Sequence, residues 1–218
     1  EVDFMTLVLE VTPAALIPRP ETEGLVERVL TLLGDEDPGP VLDVGTGSGC
    51  IALALAAARP RLKVAATETS PEAARLARRN ARRLGLHRRV RILEGDLTRP
   101  WEEATPEPRG SLRVLVSNPP YVAFAERRLL PPEVADHEPP EALFAPDRGL
   151  AVLARLVRRG GVLVASGGWI ALEIGETQGP AVRDLLRGDA RGGSPTWDRV
   201  RIEQDLSGRD RYALALRR

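Results

Sequence analysis

The segment Asn118-Pro119-Pro120-Tyr121 carries groups suited to activating a planar NH2 nitrogen. Such a nitrogen is a poor nucleophile because its lone pair is delocalised into the neighbouring π system. Asn118 can accept a hydrogen bond from the NH2 group through its side-chain oxygen, and Pro119 through a backbone carbonyl that the prolines hold rigid. Tyr121 can stack on the flat face of the same group. The plainer alternative is that the prolines only end a strand and that Tyr121 only packs.

A glycine-rich turn follows the apolar run VLDV at 41–44, and a helical pattern follows the turn. The glycine spacing over 45–49 is G-x-G-x-G, which lets the backbone turn tightly and approach a ligand. A dinucleotide fingerprint would place its third glycine where Cys50 stands. Asp43 would repel a pyrophosphate, whereas it suits the ammonium of a bound amino acid. These features favour S-adenosylmethionine over a dinucleotide as the cofactor.

Two further acidic residues follow the next two strand-like runs. Glu68 comes 21 residues after Gly47 and could accept hydrogen bonds from ribose hydroxyls. Asp96 could accept from an adenine amino group, while Leu97 packs on the ring. Glycine turns and helix-capping acids are common, but acids closing successive strands of a doubly wound sheet would meet at one edge, where ligands bind.

Strand-like runs alternate with helical patterns along the chain, which predicts an α/β fold with a mostly parallel sheet covered on both faces. A break in one helix is expected near Gly160-Gly161, followed by a turn at 166–168 and a strand at 169–174. The tail at 199–217 predicts an antiparallel hairpin joined at Ser207-Gly208. The predicted helices cover 50–58, Pro71 to about Leu84, 148–164 and 178–187, and a loop is expected at 99–110.

Composition narrows the classes of protein. The chain has 218 residues, 43% hydrophobic and 28% charged, which is typical of a globular domain. The net charge is zero, so we expect no direct binding of nucleic acid or membrane. A single cysteine and the lack of a signal peptide predict a cytoplasmic protein. His87 and His137 stand alone, so no metal site is expected.

Five motifs together make the chain resemble the HemK/PrmC family of protein-(glutamine-N5) methyltransferases, over essentially its whole length. They are LIPRPETE at 16–23, VLDVGTGSG at 41–49, SNPPYV at 117–122, LEIGETQG at 172–179 and DLSGRDR at 205–211. The resemblance implies a Rossmann-like class I methyltransferase fold, with a seven-stranded sheet and an antiparallel C-terminal hairpin. It also implies methyl transfer from S-adenosylmethionine to the glutamine of the Gly-Gly-Gln motif in class 1 peptide-chain release factors, leaving S-adenosylhomocysteine.

The motif residues and the resemblance together predict two groups of site residues. The cofactor residues are expected to be Asp43, Val44, Gly45, Thr46, Gly47, Glu68, Asp96, Leu97 and Asn118. The catalytic residues, which also bind the substrate, are expected to be Asn118, Pro119, Pro120 and Tyr121. Arg19, flanked by prolines, is expected on a rigid loop at the substrate mouth, while Glu21 or Thr22 would cap the first helix.

Residues 1–24 are interpreted as a linker hairpin and substrate-side loop, and 25–218 as the catalytic domain of a monomer. The family usually carries a helical N-terminal domain, which is expected to be missing here. Two other functions stay open from the residues alone. One is a methyltransferase acting on adenine N6 or guanine N2, which presents the same planar NH2 group. The other is a catalytically inactive binding platform on the same fold.

Overall fold

The structure is a computed structural model that describes residues 1–34, 39–129, 131, 138–188 and 196–218. In chain order its strands are β1 (Val2–Phe4), β2 (Leu7–Leu9), β3 (Val41–Val44), β4 (Val64–Glu68), β5 (Val90–Glu94), β6 (Leu112–Ser117), β7 (Val122–Ala123), β8 (Phe144–Ala145), β9 (Val164–Glu173), β10 (Trp197–Gln204) and β11 (Asp210–Arg217). Its helices are α1 (Pro20–Leu33), α2 (Cys50–Ala58), α3 (Pro71–Arg83), α4 (Arg99–Ala104), α5 (Pro140–Leu143), α6 (Ala151–Leu163) and α7 (Gly179–Arg187), with a 3-10 helix at Phe124–Leu129.

Within the described ranges, seven strands form the main sheet in the order β10-β11-β9-β6-β3-β4-β5. Strands β9, β6, β3, β4 and β5 pair in parallel, whereas β11 pairs antiparallel with both β9 and β10. The chain runs outward from β3 in both directions, so the switch point of the sheet lies between β3 and β6. Ligands bind outside the carboxyl ends of the strands at such a point. The predicted fold class and C-terminal hairpin are confirmed.

Successive side chains of the central strands point to opposite faces of the sheet and are buried in two separate hydrophobic cores, one on each face. Val41 and Val114 pack with α1 and α2 in one cluster. Leu42 and Leu115 pack with α6 and α7 in the other. Fully burying one such side chain contributes about 1.5–3 kcal/mol to the stability of the fold, so packing on both faces holds the sheet in place between the two helical layers. The strand ends that carry the polar motif residues are fixed by this packing.

Most of the predicted helices are found at the expected positions. Ser70 caps α3, since its Oγ accepts a hydrogen bond from the backbone N–H of Ala73 at 3.3 Å. Within the expected loop at 99–110, however, residues Arg99–Ala104 form the short helix α4. Among the described residues, no helix is both long and apolar enough to cross a bilayer.

The expected break in α6 is wrong, because the helix runs unbroken through Gly160-Gly161 to Leu163. These glycines do not form a turn. Because they have no side chains, the helix can pack closely against its neighbours. A Cβ on Gly160 would lie 3.1 Å from Ile170 Cδ1, and one on Gly161 would lie 2.8 Å from Thr196 Cγ2. The helix therefore lies unusually near the sheet and the hairpin.

The expected turn at 166–168 is also wrong, because these residues belong to the single strand β9. The irregularity is a bulge. Leu112 pairs with Val164 and Val114 pairs with Trp169, so β9 contains extra residues between the two pairs. Gly167 within it has φ +78°, which glycine adopts readily and an L side chain rarely does.

Candidate active site

A cavity of about 570 Å³ opens at the carboxyl ends of β3, β4, β5 and β6. Its wall includes residues from the glycine turn and from the ends of the next three strands. The predicted site residues that line it are Gly45, Thr46, Gly47, Glu68, Asp96, Leu97, Asn118 and Pro120. The sheet therefore brings these residues together, although more than 70 positions separate Gly45 from Asn118.

The glycine turn is tied to the neighbouring strand. The backbone N–H groups of Gly45 and Thr46 both donate to the carbonyl of Thr67, at 2.9 and 3.0 Å. Gly45 and Gly47 have φ values of +73° and +56°, in the left-handed region that favours glycine. The turn therefore presents bare backbone to the cavity, which suits the close approach of a ligand.

Asp43 lies behind this turn and not on the cavity wall. Its side chain is fully buried, and its Oδ2 accepts from Thr46 Oγ1 at 2.5 Å and from Ala52 N at 3.2 Å. Burial raises the pKa of Asp43 to about 7, although both hydrogen bonds oppose that rise. Asp43 therefore joins the turn to the start of α2. Its other oxygen, Oδ1, has no hydrogen-bond partner among the described residues, and its contact with a ligand ammonium stays a prediction.

Val44 is likewise placed in the core and not on the cavity wall, and its predicted contact with the cofactor stays a prediction. Its side chain packs in the cluster under α6 and α7. Its carbonyl accepts a hydrogen bond from Ser117 Oγ at 2.6 Å. Since strand side chains alternate between faces, the residue before the turn is directed into the core. Val44 therefore holds the ends of β3 and β6 side by side.

Glu68 lines the cavity, and its carboxylate also holds the backbone around it. Oε2 accepts from Gly47 N at 2.8 Å, and Oε1 accepts from Ser70 N at 2.9 Å. Each carboxylate oxygen has a second lone pair for a further donor. The position of Glu68 at the end of its strand was predicted, whereas its hydrogen bond to the glycine turn was not.

Asp96 and Leu97 lie at the opposite wall, after β5. Asp96 is half exposed and forms an ion pair with Arg155 of α6, which also lines the cavity. Leu97 has φ +47°, a strained conformation for a leucine that turns the chain at the cavity edge. Arg155 lies 59 residues beyond Asp96 along the chain and was not among the predicted site residues.

A second cavity, of about 410 Å³, adjoins the first. Pro119 and Tyr121 line only the second cavity, and Pro120 lines only the first. Asn118 lines both. The tetrapeptide expected to hold a substrate NH2 group therefore lies at the boundary between the two cavities. A group bound in one cavity would meet a group bound in the other at Asn118.

A buried polar network lies beneath Asn118 and Tyr121. Asn118 Nδ2 donates to Thr22 Oγ1 at 3.1 Å, and Thr22 Oγ1 donates to Glu173 Oε2 at 2.8 Å. Tyr121 donates its hydroxyl to Glu173 Oε1 at 3.2 Å. Burial raises the pKa of Glu173 to about 7, while hydrogen bonds from Thr22 and Tyr121 and the charge of Arg211 oppose the rise. Glu173 was not among the predicted site residues, although it lies in the motif LEIGETQG at 172–179.

The expectation that Glu21 or Thr22 caps the first helix is wrong. Helix α1 already begins at Pro20, and its N-cap residue, Arg19, makes no side-chain capping bond. Proline suits the first helical position because its missing N–H needs no partner there. Thr22 thus lies within the first turn and is only 2% exposed, so its hydroxyl is directed toward the site instead of the helix end.

Arg19 lines the second cavity, as expected of a residue at the substrate mouth. Its Nη2 donates to Glu138 Oε1 at 2.6 Å. Glu138 is only 7% exposed and also lines that cavity. Among the described residues, its other oxygen, Oε2, has no hydrogen-bond partner. A buried acceptor without a partner costs about 1–3 kcal/mol, so it is suited to receive a donor from a ligand.

The loop that follows the tetrapeptide is held from below by Gln178. Its Nε2 donates to the carbonyls of Tyr121 and Arg148, at 2.8 and 3.1 Å. Gly149, at φ +81°, lies against this contact. A Cβ built on Gly149 would lie 1.9 Å from the Tyr121 carbonyl oxygen and 2.6 Å from Gln178 Nε2. The position therefore requires glycine for space as well as for backbone conformation.

We expect Gly149→Ala to lower the free energy of unfolding by about 2–4 kcal/mol, combining backbone strain with overpacking. Gly85→Ala is the matched control. Gly85 has φ +69°, but a Cβ there would meet nothing within 4 Å, so only the strain remains. Chemical denaturation of both variants checks the prediction. Equal losses of unfolding free energy in the two variants would show that the added methyl group at position 149 makes no destabilising contact with Tyr121.

Among the residues that the structure describes, no group of three or more His, Cys, Asp or Glu side chains is arranged to hold a metal ion. His87 is described and exposed on the surface. His137 lies outside the described residues.

Known proteins resemble this chain over most of its length. Residues 25–130 match the family described as Methyltransferase small domain. The release factor glutamine methyltransferase of Moorella thermoacetica is 43% identical over 217 residues, which cover 99% of this chain and 72% of that protein. The protein of the same name from Escherichia coli is 41% identical over 184 residues, covering 84% of this chain and 63% of that protein.

Solved structures support the fold at lower identity. The hMettl16 catalytic domain, in complex with an RNA hairpin, has a TM-score of 0.73 and 19% identity, covering 97% of this chain and 74% of that one. An RNA methyltransferase from Salinibacter ruber, in complex with S-adenosyl-L-homocysteine, has a TM-score of 0.54 and 18% identity, covering 92% and 94%. At such identities the likeness extends to the fold alone.

The sheet order, the glycine turn at the end of β3 and these likenesses define a class I S-adenosylmethionine-dependent methyltransferase. Within that class, the chain belongs to the release factor glutamine methyltransferase family. The resemblance drawn from the five sequence motifs is therefore confirmed, and so is the expected enzyme class.

Proposed function

We propose that this chain methylates the side-chain amide nitrogen of a glutamine in the Gly-Gly-Gln motif of class 1 peptide-chain release factors. The observation that carries the proposal is the position of Asn118 between two cavities. The first cavity would hold S-adenosylmethionine and the second the glutamine side chain. The relatives named release factor glutamine methyltransferase support this choice of substrate.

The residues of the first cavity fit the parts of the cofactor. The glycine turn presents bare backbone at one end, Glu68 offers acceptor lone pairs for ribose hydroxyls, and Leu97 offers an apolar surface beside Asp96. When bound, S-adenosylmethionine supplies an electrophilic methyl group on a positively charged sulfur. Asp43 supports this site indirectly by fixing Thr46.

The second cavity would hold the amide so that its nitrogen faces the first. Asn118 Oδ1 and the Pro119 carbonyl would accept the two amide hydrogens, which draws the lone pair out of conjugation. Tyr121 would pack on the amide plane. Held about 3–3.5 Å from the methyl carbon and in line with the sulfur, the nitrogen can form its new bond as the carbon–sulfur bond breaks. The nitrogen then loses one proton and S-adenosylhomocysteine is left.

Arg19 and Glu138 lie in the same cavity and would contact the substrate main chain. The unpartnered Oε2 of Glu138 suits a backbone N–H of the Gly-Gly-Gln segment. We further propose that the protein acts as a monomer in the cytoplasm, without direct contact to nucleic acid. The neutral net charge supports protein over nucleic acid as the substrate.

We expect Glu138→Gln to raise the KM for a Gly-Gly-Gln peptide about tenfold with little change in kcat, because a contact to the substrate main chain is made equally in the ground and transition states. Steady-state kinetics on the peptide checks this. Glu107→Gln, the same change at an exposed residue that lines neither cavity, is the control. A fall in kcat at unchanged KM would contradict the assigned role.

The proposed function is tested by transfer of a labelled methyl group from S-adenosylmethionine. A class 1 release factor, the same factor with Gly-Gly-Glu in place of Gly-Gly-Gln, and an RNA hairpin serve as acceptors. We expect label only in the unchanged factor, because a glutamate has no amide nitrogen. Label in the RNA, or equal label in both factors, would overturn the proposal.

A further inference from the structure

The hydroxyl of Thr22 joins Asn118 to a buried carboxylate. Thr22 lies on α1, Asn118 follows β6 and Glu173 ends β9, so three distant segments meet at one hydroxyl. The two distances are 3.1 Å from Asn118 Nδ2 to Thr22 Oγ1 and 2.8 Å from Thr22 Oγ1 to Glu173 Oε2. Thr22 and Glu173 are each 2% exposed, so water does not compete for these bonds.

Counting hydrogens fixes the direction of each bond. An ionised carboxylate can only accept, so Thr22 must donate its single hydrogen to Glu173. The threonine oxygen is then available only as an acceptor toward Asn118. Of the two ends of the Asn118 carboxamide, only the NH2 end can donate to it. The oxygen, Oδ1, must therefore point away from Thr22, and it accepts no hydrogen bond within the described part of the chain.

The same carboxylate also holds the other end of the tetrapeptide. Glu173 Oε1 accepts from the hydroxyl of Tyr121 at 3.2 Å, and Arg211 Nη1 donates to that hydroxyl at 3.3 Å. The titratable and charged groups around Glu173 are Glu21 on α1, Cys50 on α2, Tyr121 after β6, and Arg211 and Tyr212 on β11.

We propose that Thr22 and Glu173 are positioning residues that set the orientation of the Asn118 carboxamide, so that its oxygen faces the substrate amide. This inference rests on the proposed function. The two hydrogen bonds of the Thr22 hydroxyl, to Asn118 and to Glu173, are called the relay. Without the relay the Asn118 carboxamide could rotate and present its NH2 group to the substrate. That group would repel the substrate NH2 and leave the lone pair of the substrate nitrogen in conjugation. The relay therefore acts on the chemical step more than on the binding of either ligand.

Thr22→Val tests the relay, since valine keeps the shape of threonine but can neither accept nor donate. We expect kcat on a Gly-Gly-Gln peptide to fall about tenfold or more, in the manner of a lost transition-state hydrogen bond. The KM for the peptide and the cofactor Kd should each change less than about threefold, since the Thr22 hydroxyl is already engaged by Glu173 and Asn118. Thr22→Ser keeps the hydroxyl and should restore most of the wild-type kcat.

The pH dependence of kcat provides a second test, which applies even if Thr22→Val does not fold. Protonated Glu173 can donate to Thr22, which would free the threonine hydrogen to face Asn118 and invert the carboxamide. With the pKa of Glu173 raised by burial to about 7, kcat should fall as the pH falls through that value. Glu173→Gln carries no titrating group at this position. Asp43, whose pKa is also raised to about 7, titrates in both enzymes, so the ratio of wild-type to Glu173→Gln kcat isolates Glu173 and should fall as the pH falls through that value.

Three results would overturn the relay while leaving the proposed function intact. They are a Thr22→Val enzyme with wild-type kcat, a Thr22→Ser enzyme as slow as Thr22→Val, and a ratio of wild-type to Glu173→Gln kcat that does not change with pH. Failure of the proposed function looks different, because the wild-type chain would then transfer no methyl group to the peptide or to an intact release factor. Cofactor binding by calorimetry confirms in each case that the variant is folded.

Discussion

Replacing Asn118 with alanine should lower the rate of methyl transfer about 100-fold or more, while the cofactor Kd stays nearly unchanged. The carboxamide oxygen would act on the nucleophile in the transition state, as an oxyanion-hole donor does with the opposite polarity. The cofactor is held mainly by the glycine turn and Glu68, which the substitution does not touch. Single-turnover rates and calorimetry on the same preparation separate the two effects.

Asn118→Asp provides a graded comparison at the same position. Aspartate keeps oxygen acceptors but cannot donate to Thr22, so its rate should lie between those of the wild type and the alanine variant. A rate for Asn118→Ala within about threefold of the wild type would refute the catalytic role. A large loss of cofactor affinity would instead place Asn118 chiefly in the cofactor site.

Replacing Glu68 with alanine should weaken the binding of S-adenosylmethionine about 10- to 100-fold. Two effects add. The ribose hydroxyls lose a charged acceptor worth about 1.5–3 kcal/mol. The backbone N–H of Gly47 also loses its 2.8 Å bond to Oε2, so the glycine turn is released from the end of β4. Calorimetric titration with the cofactor measures the loss.

Glu72→Ala is the matched control for Glu68. It removes the same charge four residues away, but Glu72 is exposed on α3 and pairs with Arg75. We expect its cofactor affinity to stay within about twofold of the wild type, because exposed ion pairs contribute little. If both variants bound the cofactor equally well, Glu68 would have no part in the site.

Local patterns were sufficient to predict most of the sheet and the place of the site. The runs at 41–44 and 112–117 are apolar, short and bounded by turn residues, and both are buried strands. The G-x-G-x-G turn marked the carboxyl end of β3. Polar residues at strand ends predicted a common edge, because parallel strands end on the same side.

The errors arose where tertiary packing overrides local chemistry. Gly160-Gly161 would end an isolated helix, but here the missing side chains let α6 approach Ile170 and Thr196. The hydrogen bonds of Asp43 likewise carried no local signal. Its Oδ2 accepts from Thr46 and Ala52, which come within reach of it only in the folded turn.

The contacts within the network around Glu173 could not be predicted from sequence patterns, although Thr22 and Glu173 each lie in one of the five motifs. Thr22 and Glu173 are 151 residues apart, and each has a plainer local interpretation, one as a helix cap and the other as a strand residue. Only the folded arrangement shows that the hydroxyl connects the acid to Asn118. Long-range polar contacts of this kind carry no periodicity, whereas the apolar patterns of strands and helices do.

The central claim is that Asn118 presents the substrate amide in the second cavity to a methyl donor in the first. A crystal structure of the chain with S-adenosylhomocysteine and a Gly-Gly-Gln peptide tests it most directly. We predict the glutamine nitrogen within about 3.2 Å of both Asn118 Oδ1 and the Pro119 carbonyl, with the cofactor sulfur directly beyond it. A cofactor bound in the first cavity with the glutamine side chain elsewhere than beside Asn118 would contradict the account.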